Sequence, residues 1–275
     1  MSANHPAAGD DARARRAQAL RAARRWAPVL GAEPDACDLS GYDLVVIDGV
    51  GERGGDRRRV AAALARLVPD TLVLSYLSVG TVEAWRPYAP RVPAAWQLEP
   101  VPDWPDERYA DVRAPGWRTL MAEQAAALAA AGFDGLYLDN LDVAEDHPPL
   151  ADALVELVAA LRAAAPSLLL VAQNGLAVAD RLPIDGIAHE DVFWRWEDGY
   201  VASPPAETAA LLAGLRRLRD RGLPVFTLDY AAPGSPGAAE AAQRSLAEGF
   251  HPAVSVLELD RPPHLAEPVR SETWR

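Results

Sequence analysis

Acidic and amide side chains recur in this sequence where apolar runs stop. Asp48 ends YDLVVID, Tyr76 and Ser78 end TLVLSYLS, Asp139 and Asn140 end GLYLDN, and Gln173 and Asn174 end LLLVAQN. Glu190 ends GIAHE, Asp229 and Tyr230 end PVFTLDY, and Glu258 ends AVSVLE. Asp142 follows two residues after Asn140. Such residues can cap or turn a chain. Their repetition at most strand ends points instead to one polar cleft, because carboxyls gathered there need water or a ligand to satisfy them. Two chemistries suit a ring of carboxylates. One carboxyl can act as an acid and another as nucleophile or base, as in glycoside hydrolysis. Alternatively, Asp48, Asp139, Glu190 and Asp229 could hold a hard cation such as Mg²⁺. A third reading is a barrel that binds carbohydrate without cleaving it. Eight Trp are present, and Trp85, Trp96, Trp104, Trp194 and Trp196 fall in expected loops. Flat apolar rings there could stack on sugars or simply pin loops, with Trp194 the one assigned to substrate.

The elements that would position these residues alternate. Strands are expected at Tyr42–Asp48, Thr71–Ser78, Tyr109–Val112, Gly135–Asn140, Leu168–Asn174, Gly186–Glu190, Pro224–Tyr230 and Ala253–Glu258. Helices are expected at Asp56–Val68, Trp117–Ala131, Leu150–Ala165, Glu207–Arg221 and Gly237–Glu248. Strands recurring roughly every 30 residues with helices between them read as βαβ units. Eight such units close into a (β/α)₈ barrel, an α/β fold of a single domain whose site lies at the carboxyl ends of the strands. An open doubly wound sheet would show a glycine-rich phosphate turn after its first strand, and VGERGG at 50–55 lacks that spacing. Within a strand, neighbours face opposite sides, so a Glu190 aimed into the mouth sends His189 toward the helices. The expected division is an N-terminal arm over 1–25, frayed or disordered, a barrel over 26–260 and a loose tail over 261–275.

Composition narrows the class of partner. The chain has 275 residues, 50% of them hydrophobic, and a net charge of −12. This length and apolar content suit one large core. The acidic balance argues against nucleic acid, which selects a basic face. Every basic side chain is Arg. The single Cys37 excludes an internal disulfide and a cysteine-based zinc site. No run reaches the ~18 apolar residues of a membrane span. The first 26 residues lack the apolar core of a secretory signal, so the expectation is a cytoplasmic monomer, or a secreted one whose leader has been removed. Neither a cofactor nor a metal is expected.

Several of these stretches resemble a known family. YLSVG at 76–80, continuing TVEAWRPYA, resembles the second-strand motif of glycoside hydrolase family 114, which contains the endo-α-1,4-polygalactosaminidases. GFDGLYLDN at 132–140 resembles its fourth-strand signature, VAQNG at 171–175 its fifth, GIAHED at 186–191 its sixth and FTLDYA at 226–231 its seventh. WPDERYADVR at 104–113 is similar to its third-strand region. The resemblance spans about residues 42–260 in a constant order. It implies a (β/α)₈ barrel acting on an α-1,4-linked galactosamine or N-acetylgalactosamine polymer. Asp139 and Glu190 match the family's catalytic carboxylates, which suggests Asp139 as nucleophile and Glu190 as general acid/base. Asp48, Asn174, Asp229 and Tyr230 match positions that line its cleft. An acidic mouth would suit a partly deacetylated, cationic amino sugar. Some relatives carry Glu directly after the second-strand glycine; here Thr81 stands there and Glu83 follows.

Overall fold

A computed structural model describes residues 7–50, 71–102 and 104–263. Helix α1 spans Ala7–Ala22. Strands β1 (Trp26–Val29), β2 (Leu44–Ile47) and β3 (Leu72–Ser78) follow, all parallel neighbours. A three-stranded antiparallel insert comes next: β4 (Thr81–Glu83), β5 (Gln97–Val101) and β6 (Trp104–Ala110), in the order β4-β6-β5. The barrel then resumes with α2 (Pro115–Ala131), β7 (Gly135–Asp139), the short α3 (Val143–Asp146), α4 (Ala151–Ala164) and β8 (Leu169–Gln173). The short α5 (Leu176–Ala179) leads to β9 (Gly186–Glu190), and a hairpin of β10 (Trp194–Trp196) and β11 (Tyr200–Ala202) follows. Helix α6 (Pro205–Asp220), β12 (Val225–Tyr230), α7 (Pro236–Ala247) and β13 (His251–Ser255) complete the chain's described part.

The main sheet has eight strands in the order β1-β2-β3-β7-β8-β9-β12-β13. Its two ends meet, which makes a nearly closed (β/α)₈ barrel. The Trp26 indole donates to the carbonyl of His251 at 2.9 Å, and the amides of Leu30 and Gly31 both donate to the carbonyl of Leu259 at 3.0 Å.

Eight strands were expected, but one of them is a different segment. Tyr109–Val112 is not a barrel strand. Tyr109 belongs to β6, which pairs antiparallel with β4 (Thr81 opposite Tyr109). The vacant place is taken by β1, well before the expected start at Tyr42. Trp26–Val29 is only four residues long and carries a proline, so it lacks a periodic signature; its burial on all four residues comes from neighbours distant in sequence. The N-terminal arm also differs from a frayed one. Leu20 and Ala23 of the arm pack with Trp26 against the barrel interior, and Arg16 ion-pairs with Asp134 at 2.8 Å. Full burial of a leucine is worth about 1.5–3 kcal/mol, enough to dock a helix of weak amphipathicity. The eighth strand is His251–Ser255 and stops short of Glu258. The expected helix at Asp56–Val68 lies outside the described residues, as do residues 1–6 and most of the expected tail.

Alternation divides the core in two. Leu44, Val46, Leu74, Tyr76, Tyr137, Val171, Ala188, Phe226, Leu228, Tyr230 and Ala253 fill the barrel interior. The intervening Val45, Ile47, Val73, Leu136, Leu138, Leu170, Ala172, Ile187 and Val225 face the helices, among them Leu120, Leu154, Leu157, Leu215 and Leu218. This parity decides which strand-end side chains can reach the mouth.

Candidate active site

Asp139 continues the interior row of Gly135 and Tyr137, and Glu190 continues that of Gly186 and Ala188. Both therefore turn into the mouth from β7 and β9, with β8 between them. The charge of Glu190 acts on Asp139. Burial, then Glu190, then Asp142 push the Asp139 carboxyl well above its ordinary range. The Asn140 amide and the Tyr76 hydroxyl pull it the other way.

Glu190 is held by barrel strands alone. Asn174 Nδ2 donates to Glu190 Oε1 at 2.8 Å, and the Tyr230 hydroxyl donates to Oε2 at 2.8 Å. The Glu190 amide donates back to Asn174 Oδ1 at 3.2 Å. Asn174 can reach this position because it adopts a left-handed turn (φ 58°) at the end of β8, a conformation that Asn tolerates better than most residues. Gln173 faces the interior and accepts from the Tyr137 hydroxyl beneath it.

The residue after Asp139, not its carboxyl, is tied to the insert. Asn140 has a positive φ of 60°, and its Nδ2 donates to Ser78 Oγ at 2.9 Å and Thr81 Oγ1 at 3.1 Å. Thr81 in turn donates to Glu107 Oε2 at 2.8 Å. Ser78 and Asn140, expected to bind substrate, are thus occupied with each other. Gly80 is needed for this approach: a Cβ there would come within 1.9 Å of the Asn140 carbonyl oxygen. On the other flank, Tyr76 lies under Arg86, whose guanidinium sits 5.3 Å from the ring centre. Arg86 donates to Glu83 at 2.6 and 3.0 Å and to Asp48 at 2.6 Å. Asp48 does occupy the interior row of β2, as expected for a cleft residue, but it is joined to Arg86.

Three expected site residues are placed elsewhere. Asp229 falls between the inward Leu228 and Tyr230, so it points away from the mouth. It is fully buried, and its Oδ1 accepts the amides of Phe193 and Trp194 at 2.6 and 2.9 Å, anchoring the start of the β10–β11 hairpin. Burial raises its carboxyl to about 6. Trp194 pins the same hairpin to α7: a Cβ on Gly237 would lie 2.7 Å from its ring. Glu258 is exposed in a turn beyond β13. With Asp229 turned outward, the four carboxylates considered for a cation do not converge, and no group of three or more metal-ligating side chains occurs among the described residues. His189 lies in the outward row of β9 with Ile187, its ring bonded to the Glu190 carbonyl at 2.7 Å. Burial lowers its basicity.

The model of the family described as glycoside-hydrolase family GH114 matches residues 7–267. The chain belongs to that family. The glycoside hydrolase domain of PelA from Pseudomonas aeruginosa is 27% identical, with a TM-score of 0.73 over 86% of this chain and 96% of that domain. Aspergillus fumigatus Ega3, solved with galactosamine, is 17% identical and superimposes with a TM-score of 0.68 over 86% of this chain and 92% of that one. An uncharacterised protein of Deinococcus radiodurans is 31% identical over 254 residues, or 82% of this chain and 77% of that protein. No helix among the described residues of this GH114 member is long and apolar enough to cross a membrane.

Further acidic groups crowd the GH114 mouth. Asp142 is raised to about 6 by burial and Glu190. Asp191, not singled out from the sequence, is raised to about 8 by burial, then Glu190 and Asp229. It has a positive φ of 59°, and its Oδ1 has no hydrogen-bond partner among the described residues. Arg86 and Glu107 were also missed. Their sequence contexts, TVEAWRP and PDERY, look like solvated loops, and only the antiparallel pairing of Glu83 with Glu107 brings them inward. Beyond Trp194, the hairpin displays Trp196, 44% exposed, edge-on to Tyr200 at 4.9 Å.

Proposed function

We propose that this protein hydrolyses an α-1,4-linked galactosamine or N-acetylgalactosamine polymer, with Asp139 and Glu190 as its catalytic pair. The observation that carries the reading is the arrival of these two carboxyls, from separate strands, in one mouth where the Glu190 charge makes ionisation of Asp139 costlier. Two carboxyls so placed can divide the work, one protonated and one ionised. Glycoside hydrolysis uses that state: the protonated member gives its proton to the leaving oxygen, and the ionised member attacks the anomeric carbon or activates water. We assign attack to Asp139, whose ionised form the Asn140 amide and the Tyr76 hydroxyl favour against its burial, and proton transfer to Glu190. The neighbouring Asp142, raised only to about 6 and so ionised at neutral pH, favours a cationic amino sugar. Family membership and the galactosamine bound to Ega3 support this substrate class.

The test is incubation with α-1,4-linked galactosamine oligomers of defined acetylation, with products read by mass spectrometry. Cleavage by the wild type is expected, with Asp139→Asn and Glu190→Gln each losing about 10²–10⁴-fold in kcat. Azide added to Asp139→Ala should yield a glycosyl azide if Asp139 is the nucleophile. Oligomers that bind without turnover would replace this reading with a carbohydrate-binding barrel.

A further inference from the structure

Three amide side chains flank the two carboxyls, and those of Asn140 and Asn174 are committed. Asn140 Nδ2 serves Ser78 and Thr81, and Asn174 Nδ2 serves Glu190. Gln173 differs. It ends β8, the strand between those of Asp139 and Glu190, and continues the interior row of Leu169 and Val171. Leu138 pairs with Ala172 and Gln173 with Ala188, so Gln173 is level with Asp139 and one interior step below Glu190. A sugar ring that touches both carboxyls must cross the end of this strand. Gln173 is only 3% exposed, and its Oε1 accepts from the Tyr137 hydroxyl. A phenol has one proton to give, and among the described residues this carbonyl is the acceptor bonded to it. The amide therefore keeps its oxygen toward Tyr137 and its NH₂ toward the mouth. Nε2 has no hydrogen-bond partner among the described residues, yet it is not sealed away as Asp229 Oδ2 is. A nearly buried donor without an acceptor is costly unless water or a ligand takes it.

We propose that Gln173 is a substrate-binding residue whose Nε2 donates to an uncharged oxygen of the ring lying across Asp139 and Glu190, with Tyr137 as the positioning residue that holds the amide in this orientation. The acceptor is a hydroxyl or an acetamide carbonyl. It is not an ammonium, which carries donors only, so a free amino group on that ring faces the carboxyls and not Gln173. The need for such a donor follows from the rest of the mouth. Ionised carboxylates accept and cannot donate, and the neighbouring amides are already engaged. Gln173 supplies what they lack. The inference rests on the reading of this mouth as a sugar-binding cleft, but it does not require turnover.

The probes are galactosamine and N-acetylgalactosamine, which hold no glycosidic bond to cleave, with Kd read by ligand-observed NMR on the full chain. Gln173→Met keeps the length of the side chain and removes the donor. It should raise Kd about 3–10-fold, the loss of one neutral hydrogen bond. A rise confined to N-acetylgalactosamine identifies the acetamide carbonyl as the acceptor, and a rise for both sugars identifies a hydroxyl. Tyr137→Phe removes only the hydroxyl and frees the amide to turn, so it should raise Kd by a smaller factor, about 2–3-fold. Combining the two substitutions should weaken binding no further than Gln173→Met alone, because Tyr137 acts through the amide. A tyrosine with a merely structural role would add a loss of its own. The proposal is overturned by an unchanged Kd for both sugars in Gln173→Met, by a rise for galactosamine alone, by additive losses in the double variant, or by a wild type that binds neither sugar. If Gln173→Met fails to fold, Tyr137→Phe remains decisive, and an unchanged Kd there overturns the proposal. A wild type that binds these sugars and cleaves no oligomer would count against the proposed function alone.

Discussion

Glu190 and Asp139 share one mouth but rest on different foundations. Glu190 is fixed by its neighbours in the barrel, Asn174 of the β8 end and Tyr230 of β12, in a ring of direct hydrogen bonds. Asp139 has a second tier behind it: its barrel-strand neighbours Tyr76 and Asn140 are themselves bonded to the inserted sheet, Tyr76 to Glu83 and Asn140 to Thr81 and through it to Glu107. A barrel strand presents a carboxyl at a set height and direction, and adjacent strands can brace it. Bracing from an insert adds groups that the barrel itself has no room for, among them a buried arginine with two acidic partners. The mouth thus has one carboxyl inherited from barrel geometry and one adjusted by an appendage.

Variants can separate these foundations. The largest effect after loss of the carboxyls themselves is expected from Tyr230→Phe, which removes a direct donor to Glu190. One hydrogen bond to a charged group is worth about 1.5–3 kcal/mol, so kcat/KM should fall about 10–100-fold with the melting temperature little changed. A large fall in melting temperature instead would show that the Tyr230 bond serves the barrel more than the mouth. Thr81→Val should reverse that balance. It leaves the buried Glu107 without its donor, costing about 1–3 kcal/mol of stability in a thermal melt, with a smaller drop in activity. If activity falls as far as in Tyr230→Phe, the second tier is as direct as the first.

The smallest and most pH-dependent effect belongs to Asp191. Its native carboxyl titrates near 8, above the unfolded value, so the folded state holds the proton more tightly. Such a group costs stability progressively as pH rises from about 4 to about 8, and the full cost is present above the native value. Asp191→Asn, whose amide tolerates the same left-handed backbone, should therefore raise the melting temperature by several degrees at pH 8–9 and leave it nearly unchanged near pH 4. A gain that is equal at both pH values would exclude titration as its origin.

Much of the barrel is legible in the sequence because apolar runs such as LVLSYLS, GLYLD and VFTLDY carry their own period and stop on polar residues. The interior positions of Asp139 and Glu190 follow from the same alternation that sends His189 outward. Applied to FTLDY, that rule also sends Asp229 outward, since Tyr230 packs with the interior; the family resemblance had placed both in the cleft. Trp26–Val29 was not legible as a strand, because four residues beside an Arg-rich helix hold no period of their own. Nor could Arg86 be read as part of the site. Its significance arises from β4 folding back on β6, a pairing set by tertiary contacts and invisible in TVEAWRP itself. Asn140, Asn174 and Asp191 were visible as residue types, but their left-handed backbones were not.

The seam of the barrel joins strands more than 200 residues apart, with Trp26 meeting His251 at a separation of 225 and Leu30 meeting Leu259. During synthesis β1 emerges before the other described barrel strands and must wait for β13. Until then the growing sheet exposes two raw margins of unpaired amides and carbonyls, the kind of edge that recruits strangers. Helix α1 docks under the floor of the interior against β3 and β8, in the middle of the sheet, and not along either margin. Shortening the chain ahead of His251 would therefore do more than trim a strand: it would leave the first margin without its intended neighbour and turn a folding problem into an aggregation problem.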